Sequence, residues 1–252
     1  MEFQNSLNSL PRRQPDAADC AQCFMEARCW PESTPRSGSV EVHREPVLRR
    51  GQSLWRQGEA YRGLFLLRSG CIKIYQHSSQ GEEQVLQFAL TGDLLGLEAM
   101  TAGSSDSHAV ALTDAMVCRL RWPAVDADTA QVAHVERRLL QRASSLLRQR
   151  ARAARATDPT AALLAFLQDF ASRSGAQESR TAGDQRKLRL PMGRLEIGQY
   201  LGYAEETICR SFHRLQEQGL ATVAGRTIVL RGTAVPPPAA AGEPMLRVVA
   251  VS

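Results

Sequence analysis

Apolar residues fall at helical spacing twice between residues 195 and 219. Ile197, Tyr200 and Leu201 mark one short helix, and Ile208, Phe212 and Leu215 mark a second. Gly202 between them predicts a tight turn. Residues 40–122 show a different pattern: short runs of Leu, Ile, Val, Phe and Tyr, partly alternating, broken by Gly51, Gly58, Gly63, Gly70, Gly81, Gly92 and Gly96. That pattern predicts an all-β roll or barrel. Residues 125–157 read as one long helix, with Val132, Val135, Leu139, Ala143, Leu146 and Ala153 near heptad spacing and Leu140 and Leu147 widening the stripe. Asp158 and Pro159 predict the cap and first turn of a further helix, whose core face is Leu163, Leu164, Phe166, Leu167 and Phe170. Residues 174–186 are polar and predict a loop, 188–190 a short strand, and 221–231 a two-stranded wing turning at Gly225-Arg226. The Pro/Ala-rich tail from Gly232 reads as disordered.

The fold class is therefore α+β. The expected organisation is an amino-terminal segment (1–36), a β-roll (37–124), a long helix (125–157), a winged helix-turn-helix (158–231) and a tail (232–252). On the second helix of the helix-turn-helix, Glu206, Cys209 and Arg210 share one face, opposite Ile208, Phe212 and Leu215. An arginine forks onto guanine and a carboxylate accepts from the cytosine amino group, so this face suits a DNA major groove. Thr207 and Arg214 complete the candidate DNA-facing set. The thiol of Cys209 suits an apolar contact with a thymine methyl.

Charge sharpens the picture. The net charge is +5, but residues 1–35 carry net −2, residues 128–157 net +5 and residues 180–231 net +4. The basic half is thus the half with the helix-turn-helix, an electrostatic footprint for a polyanion. No apolar run approaches 18 residues and the amino terminus lacks a signal-peptide core, so a cytoplasmic chain with reduced cysteines is expected.

Cys20, Cys23 and Cys29 are spaced C-x2-C-x5-C in a segment with little else to build a core. Thiolates are soft ligands that select zinc, copper(I) or iron–sulfur clusters. Three are one short of an all-thiolate zinc set or a cubane, which leaves Cys71, Cys118 or Cys209 as the fourth. Spacing alone leaves zinc and iron–sulfur open. Cys71, after Ser69-Gly70 in a strand pattern, reads as a small packed side chain.

The stretch IGQYLG followed by EETICR resembles the DNA-reading end of the FNR/catabolite-activator family of bacterial transcription regulators. Two positions depart from the family pattern. Ala204 replaces the usual Ser or Thr cap, costing about 1 kcal/mol of helix stability. Glu205 and Glu206 partly offset that loss through the helix dipole. Cys209 stands where FNR-type members carry serine. The stretch LFLLRSGCIKIY and the GDLLG motif resemble the cyclic-nucleotide-binding roll of the same family. The family's ribose glutamate is Leu97 here, with Glu98 one residue late, and its Arg-Ser phosphate pair is Ser107-His108. An anionic phosphate there loses its charge-assisted contact, so no cyclic nucleotide is expected. His108 reads as a surface or packing histidine.

The resemblance implies a 4Fe-4S cluster on Cys20, Cys23, Cys29 and Cys118, the last within Met116-Val117-Cys118. It further implies a homodimer through the long helix, binding to a TTGAT-type palindrome on double-stranded DNA, and a contact to RNA polymerase. Arg210 would meet guanine and Glu206 the opposing cytosine. The function implied is oxygen-responsive control of transcription, not catalysis. A zinc or nitric-oxide sensor on the same fold, a cyclic-nucleotide module and an iron–sulfur carrier are the alternatives.

Overall fold

A computed structural model describes residues 16–17, 41–78, 81–121, 140, 144, 158–174, 177–179 and 185–231. The chain divides into two compact units, residues 1–152 and 153–252. Cys20, Cys23 and Cys29, the tail, and all of the long helix except Leu140 and Ser144 lie outside the described residues.

Among the described residues, the first unit contains nine strands: β1 (Asp16–Ala17), β2 (Glu41–Arg44), β3 (Ser53–Trp55), β4 (Leu64–Ser69), β5 (Ile72–His77), β6 (Glu83–Ala89), β7 (Leu94–Leu95), β8 (His108–Ala111) and β9 (Met116–Arg121). A short helix α1 (Glu98–Ala102) follows β7. The strands form two antiparallel sheets, ordered β1-β2-β9-β4-β7 and β3-β8-β5-β6. Leu54, Trp55, Phe65, Leu67, Ile72, Ile74 and Val117 are buried in one shared core, with Trp55 stacked on Phe65 at 5.8 Å between ring centroids. This is the β-roll expected from the glycine-punctuated apolar runs. The β4–β5 turn shows why glycine is needed. Gly70 has φ of 94°, and a Cβ there would stand 2.5 Å from the Asp114 carbonyl oxygen. Cys71, just beyond it, is buried, and its N–H donates to Thr113 Oγ1 at 3.0 Å.

Alternation gives the first sheet two apolar faces. Leu64, Leu66 and Leu120 form a second buried cluster, with Val42, Tyr61, Leu94 and Leu97 packed against it. The register pairs Leu64 with Leu120 and Leu66 with Cys118, so Cys118 sits on this second face.

The second unit contains α2 (Pro159–Arg173), β10 (Gln177–Ser179), β11 (Gln185–Arg189), α3 (Arg194–Leu201), α4 (Glu205–Glu217), β12 (Ala221–Ala224) and β13 (Thr227–Arg231). Asp158 caps α2, its carboxylate accepting from the N–H groups of Thr160 and Ala161 at 3.1 Å. Leu163, Phe166, Leu167 and Phe170 of α2 are buried, and Phe166 packs on Tyr200 of α3 at 5.6 Å. The four strands form a sheet ordered β10-β11-β13-β12. The loop expected over 174–186 is corrected here. Gln177–Ser179 pairs with Gln185–Lys187 as an edge strand. Backbone pairing to a neighbour made these polar residues a strand, and no apolar alternation marked them.

The junction of α3 and α4 is set by a backbone contact. Gly198 lies inside α3, yet a Cβ there would collide with the Tyr203 carbonyl oxygen and meet the Ile208 side chain at 3.6 Å. The Gly198 carbonyl accepts from Gly202 N–H at 2.7 Å and from Tyr203 N–H at 3.0 Å. Gly202 itself is left-handed, with φ of 79°. Gly198→Ala should therefore force the two helices apart. The expected outcome is a loss of DNA affinity of tenfold or more, on the order of the 1–3 kcal/mol of an overpacked core. Thermal unfolding of Gly202→Ala, strained but unobstructed, provides the comparison; equal DNA affinity for wild type and Gly198→Ala would refute the steric account.

Candidate nucleic-acid interface and thiol site

Helix α4 is strongly two-sided. Ile208, Ser211, Phe212 and Leu215 are buried, and Glu206, Arg210 and Arg214 are exposed. Those three follow at i, i+4 and i+8, one stripe along the outer face. Cys209 and Thr207 are half-buried at its flanks, and the Thr207 carbonyl accepts from the Ser211 hydroxyl at 2.8 Å. Ala204 is the N-cap, with extended backbone and no side-chain hydrogen bond, so the first-turn N–H groups of α4 lack that partner. Helix α3 is better capped: Glu196 Oε2 accepts from Gly193 N–H at 2.8 Å, although glycine offers no side chain to complete a capping box.

Sequence reasoning passed over Arg194, which joins both helices of this site to its wing. It is half-buried at the start of α3. Its Nη2 donates to the Gly225 carbonyl in the wing turn at 2.9 Å. Its guanidinium lies 4.2 Å from the centroid of the Phe212 ring in α4. Burial holds its pKa below the usual arginine value; the Cys209 thiol opposes that shift and Arg226 adds to it. Only the position of Arg194, shortly after the predicted strand and at a helix start, could have marked it.

In the roll, Cys118 is buried and in no disulfide. Strand β9 pairs with β2 on one side and β4 on the other, placing Cys118 opposite Arg44 and Leu66. The same Arg44 pairs on its far side with Asp16 of β1. No helix among the described residues is long and apolar enough to cross a membrane.

The region after GDLLG is acidic. Glu98 opens α1, and Ser107, fully buried, donates to its Oε1 at 3.3 Å. Burial, with the charge of Asp106 adding to it, raises the Glu98 pKa above the usual carboxylate value. His108 makes other contacts: its ring stacks on Tyr75 at 5.0 Å and its Nδ1 accepts from Gln57 N–H at 3.4 Å.

Residues 45–127 match the cyclic nucleotide-binding domain family, and residues 160–234 match the Crp-like helix-turn-helix domain family. The chain is 29% identical over 221 residues to the fumarate and nitrate reduction regulatory protein of Vibrio cholerae, covering 85% of this chain and 87% of that protein. It is 29% identical over 238 residues to electron transport regulator A of Shewanella oneidensis, covering 91% and 93%. Among solved structures, FixK2 from Bradyrhizobium japonicum superposes with a TM-score of 0.60 at 26% identity, over 76% of this chain and 93% of that one. A CRP-family transcriptional regulator from Thermus thermophilus gives 0.63 at 21% identity, over 74% and 92%. With a nucleotide-binding-type roll, a Crp-like helix-turn-helix after it in the sequence and an exposed arginine–carboxylate stripe on the reading helix, the chain is a DNA-binding transcription regulator, not an enzyme, and it belongs to the CRP/FNR family, as an FNR-type member.

Proposed function

We propose that this chain is an oxygen- or redox-responsive regulator of anaerobic gene expression, with Cys20, Cys23, Cys29 and Cys118 as the ligands of a 4Fe-4S cluster. The names of the relatives, fumarate and nitrate reduction regulation and electron transport regulation, point the same way. The observation that carries the reading is the row Asp16–Arg44–Cys118 across three neighbouring strands. Two ladder steps put the Asp16 backbone about 10 Å from that of Cys118. Cys20 follows Asp16 by four residues, which extended chain spans in up to about 14 Å. Four residues of chain from Asp16 are thus long enough for Cys20 to reach Cys118. The chemistry of the site also fits: Cys118 is buried on a face shared with Leu64, Leu66 and Leu120, and apolar surroundings limit solvent and oxygen access to a thiolate-held cluster. When bound, the cluster supplies a tie between segment and roll that oxidation removes.

The segment held on the roll biases the long helix towards pairing with its twin. Leu140 in that helix is 70% exposed in the single chain, as an unpartnered seam residue would be. In the sequence, Arg148, Arg150 and Arg152 flank the heptad stripe, and like charges at such positions would make pairing conditional on a second contact. The homodimer reads a TTGAT-type palindrome as two half-sites about one DNA turn apart. Arg210 meets guanine, Glu206 the opposing cytosine and Cys209 a thymine methyl, with Thr207 and Arg214 at the edges of the contact. RNA polymerase is the partner through which such a cytoplasmic regulator acts. The roll holds no cyclic nucleotide in this reading, since Ser107-His108 stand where the family carries the Arg-Ser pair for an anionic phosphate.

Purified anaerobically, the protein should be brown and should bleach in air. Cys118→Ala should lose both the visible spectrum and anaerobic binding to a TTGAT palindrome, and Cys71→Ala should keep both; a colourless zinc protein overturns the oxygen-sensor reading. Arg210→Ala should weaken operator binding by about 1–3 kcal/mol and flatten discrimination at the guanine position, which titration against single-base operator variants measures. Glu98 supplies a third test. Its folded-state pKa lies above the unfolded one, so its contribution to stability is complete below the ordinary carboxylate pKa and is lost as pH rises through the raised value. Glu98→Gln should raise the thermal midpoint at about pH 8 and leave it unchanged near pH 4; a lower midpoint at the higher pH would show that the charged form is stabilised there.

A further inference from the structure

The wing turn is held from two sides by arginine side chains that the DNA-reading stripe does not use. Gly225 and Arg226 form the two-residue turn of the β12–β13 hairpin, with Ala224 paired to Thr227 and Gly225 at φ of 61°. On one side, Arg194 Nη2 donates to the Gly225 carbonyl at 2.9 Å. On the other, Arg226 Nη1 donates to the Pro191 carbonyl at 3.0 Å, and Leu190 N–H donates to the Arg226 carbonyl at 2.8 Å. The same Arg194 guanidinium lies over Phe212, its carbon 4.2 Å from the ring centroid. Phe212 is 3% exposed and belongs to the buried face of α4. One planar cation therefore touches both the reading helix and the tip of the wing, close to Cys209 on the reading face.

We propose that Arg194 is a positioning residue that sets the wing against the reading helix, and that its guanidinium serves this joint and not a DNA phosphate. Planarity is what the joint requires. A guanidinium offers a face to the Phe212 ring and, in the same plane, an N–H to the Gly225 carbonyl. A lysine ammonium carries the same charge on a tetrahedral centre and cannot do both at once. A phosphate contact has the opposite demand: lysine serves it nearly as well, and losing it lowers the salt dependence of binding by about one counterion. The wing turn stands beside the reading face through this joint, so its orientation decides whether the hairpin meets the DNA backbone flanking the half-site.

The test compares full-length wild type, Arg194→Lys, Arg194→Ala and Arg226→Ala in two measurements. The first is amide hydrogen exchange over residues 221–231 in DNA-free protein, with the α4 segment around Ile208 as internal reference. Arg194→Lys and Arg194→Ala should both raise wing exchange about tenfold, the loss of one charge-assisted hydrogen bond, with α4 unchanged. Arg226→Ala, which cuts the second tether, should do the same; Arg194→Lys carries the test if Arg194→Ala does not fold. The second measurement is anaerobic binding to a long palindromic duplex and to one trimmed of its flanks. The affinity gained from the flanks should fall about tenfold in both Arg194 variants, with the trimmed duplex bound as by wild type. A general loss of structure would lower binding to both duplexes alike and raise exchange in α4. If Arg194→Lys keeps wing protection and the flank gain, or if Arg194→Ala lowers the salt slope by about one with wing exchange unchanged, Arg194 is a plain phosphate contact and the proposal is overturned. The exchange measurement needs neither cluster nor operator, so a failure of the oxygen-sensor reading leaves its outcome interpretable.

Discussion

The roll depends on the two-residue alternation of strand β9. Val117 turns inward to the core shared by both sheets, and Cys118 and Leu120 turn to the opposite face. A one-residue slip in the β9 register would carry the thiol into the core and expose the apolar row. Pairing on both sides prevents this, since β9 is hydrogen-bonded to β2 and to β4 along its length. The Arg119–Glu45 ion pair at 2.6 Å, with both side chains about one-fifth exposed, adds a directional contact between β9 and the residue just after β2. Its value lies in fixing register, because desolvation offsets much of the attraction in a partly buried pair.

Much of this was legible in the amino-acid pattern. Periodicity of about 3.6 marked α3 and α4, Asp158-Pro159 marked the start of α2, and the glycines of the roll fell at turns with positive φ. Polar Gln177–Ser179 was not legible as a strand, because its partner β11 and not its own side chains made it one. Arg194 was not legible either. A surface arginine at a helix start looks like any solvated charge until the wing turn, distant in sequence, brings the Gly225 carbonyl to it. Cys118 could be singled out only through a family resemblance, since a lone thiol in an apolar strand is otherwise a packing residue. The row linking it to β1 is a tertiary fact that no local pattern encodes.

The reading domain resolves a competition between stability and access. A helix that enters a groove must leave its polar face bare, so it can be held only from behind and from its ends. Behind α4, Ile208, Phe212 and Leu215 are each at most 3% exposed. Its amino-terminal end is the weak point, because Ala204 contributes no cap. Glu205 and Glu206 compensate through the helix dipole, but Glu206 also lies on the exposed stripe of α4. A carboxylate near the phosphate backbone is repelled non-specifically and is repaid only where it accepts from a cytosine amino group. On the proposed reading, the residue that steadies this helix end also penalises the wrong sequence.

On the proposed reading, that penalty accounts for the placement of positive charge. Arg210 and Arg214 follow Glu206 at successive turns of the exposed stripe. Cations that touch phosphate supply affinity without regard to sequence, so a domain with only cations would bind any duplex. Placing one acid at the head of a basic stripe lowers affinity everywhere and restores it at sites that offer a donor opposite the carboxylate. Specificity also needs geometric certainty, since a carboxylate displaced by an ångström loses the hydrogen bond and keeps the repulsion. The close backbone contact at Gly198 fixes α4 against α3, and the Arg194 guanidinium over Phe212 fixes the wing against α4. Both restraints lie outside the exposed stripe of Glu206, Arg210 and Arg214, which leaves those side chains bare.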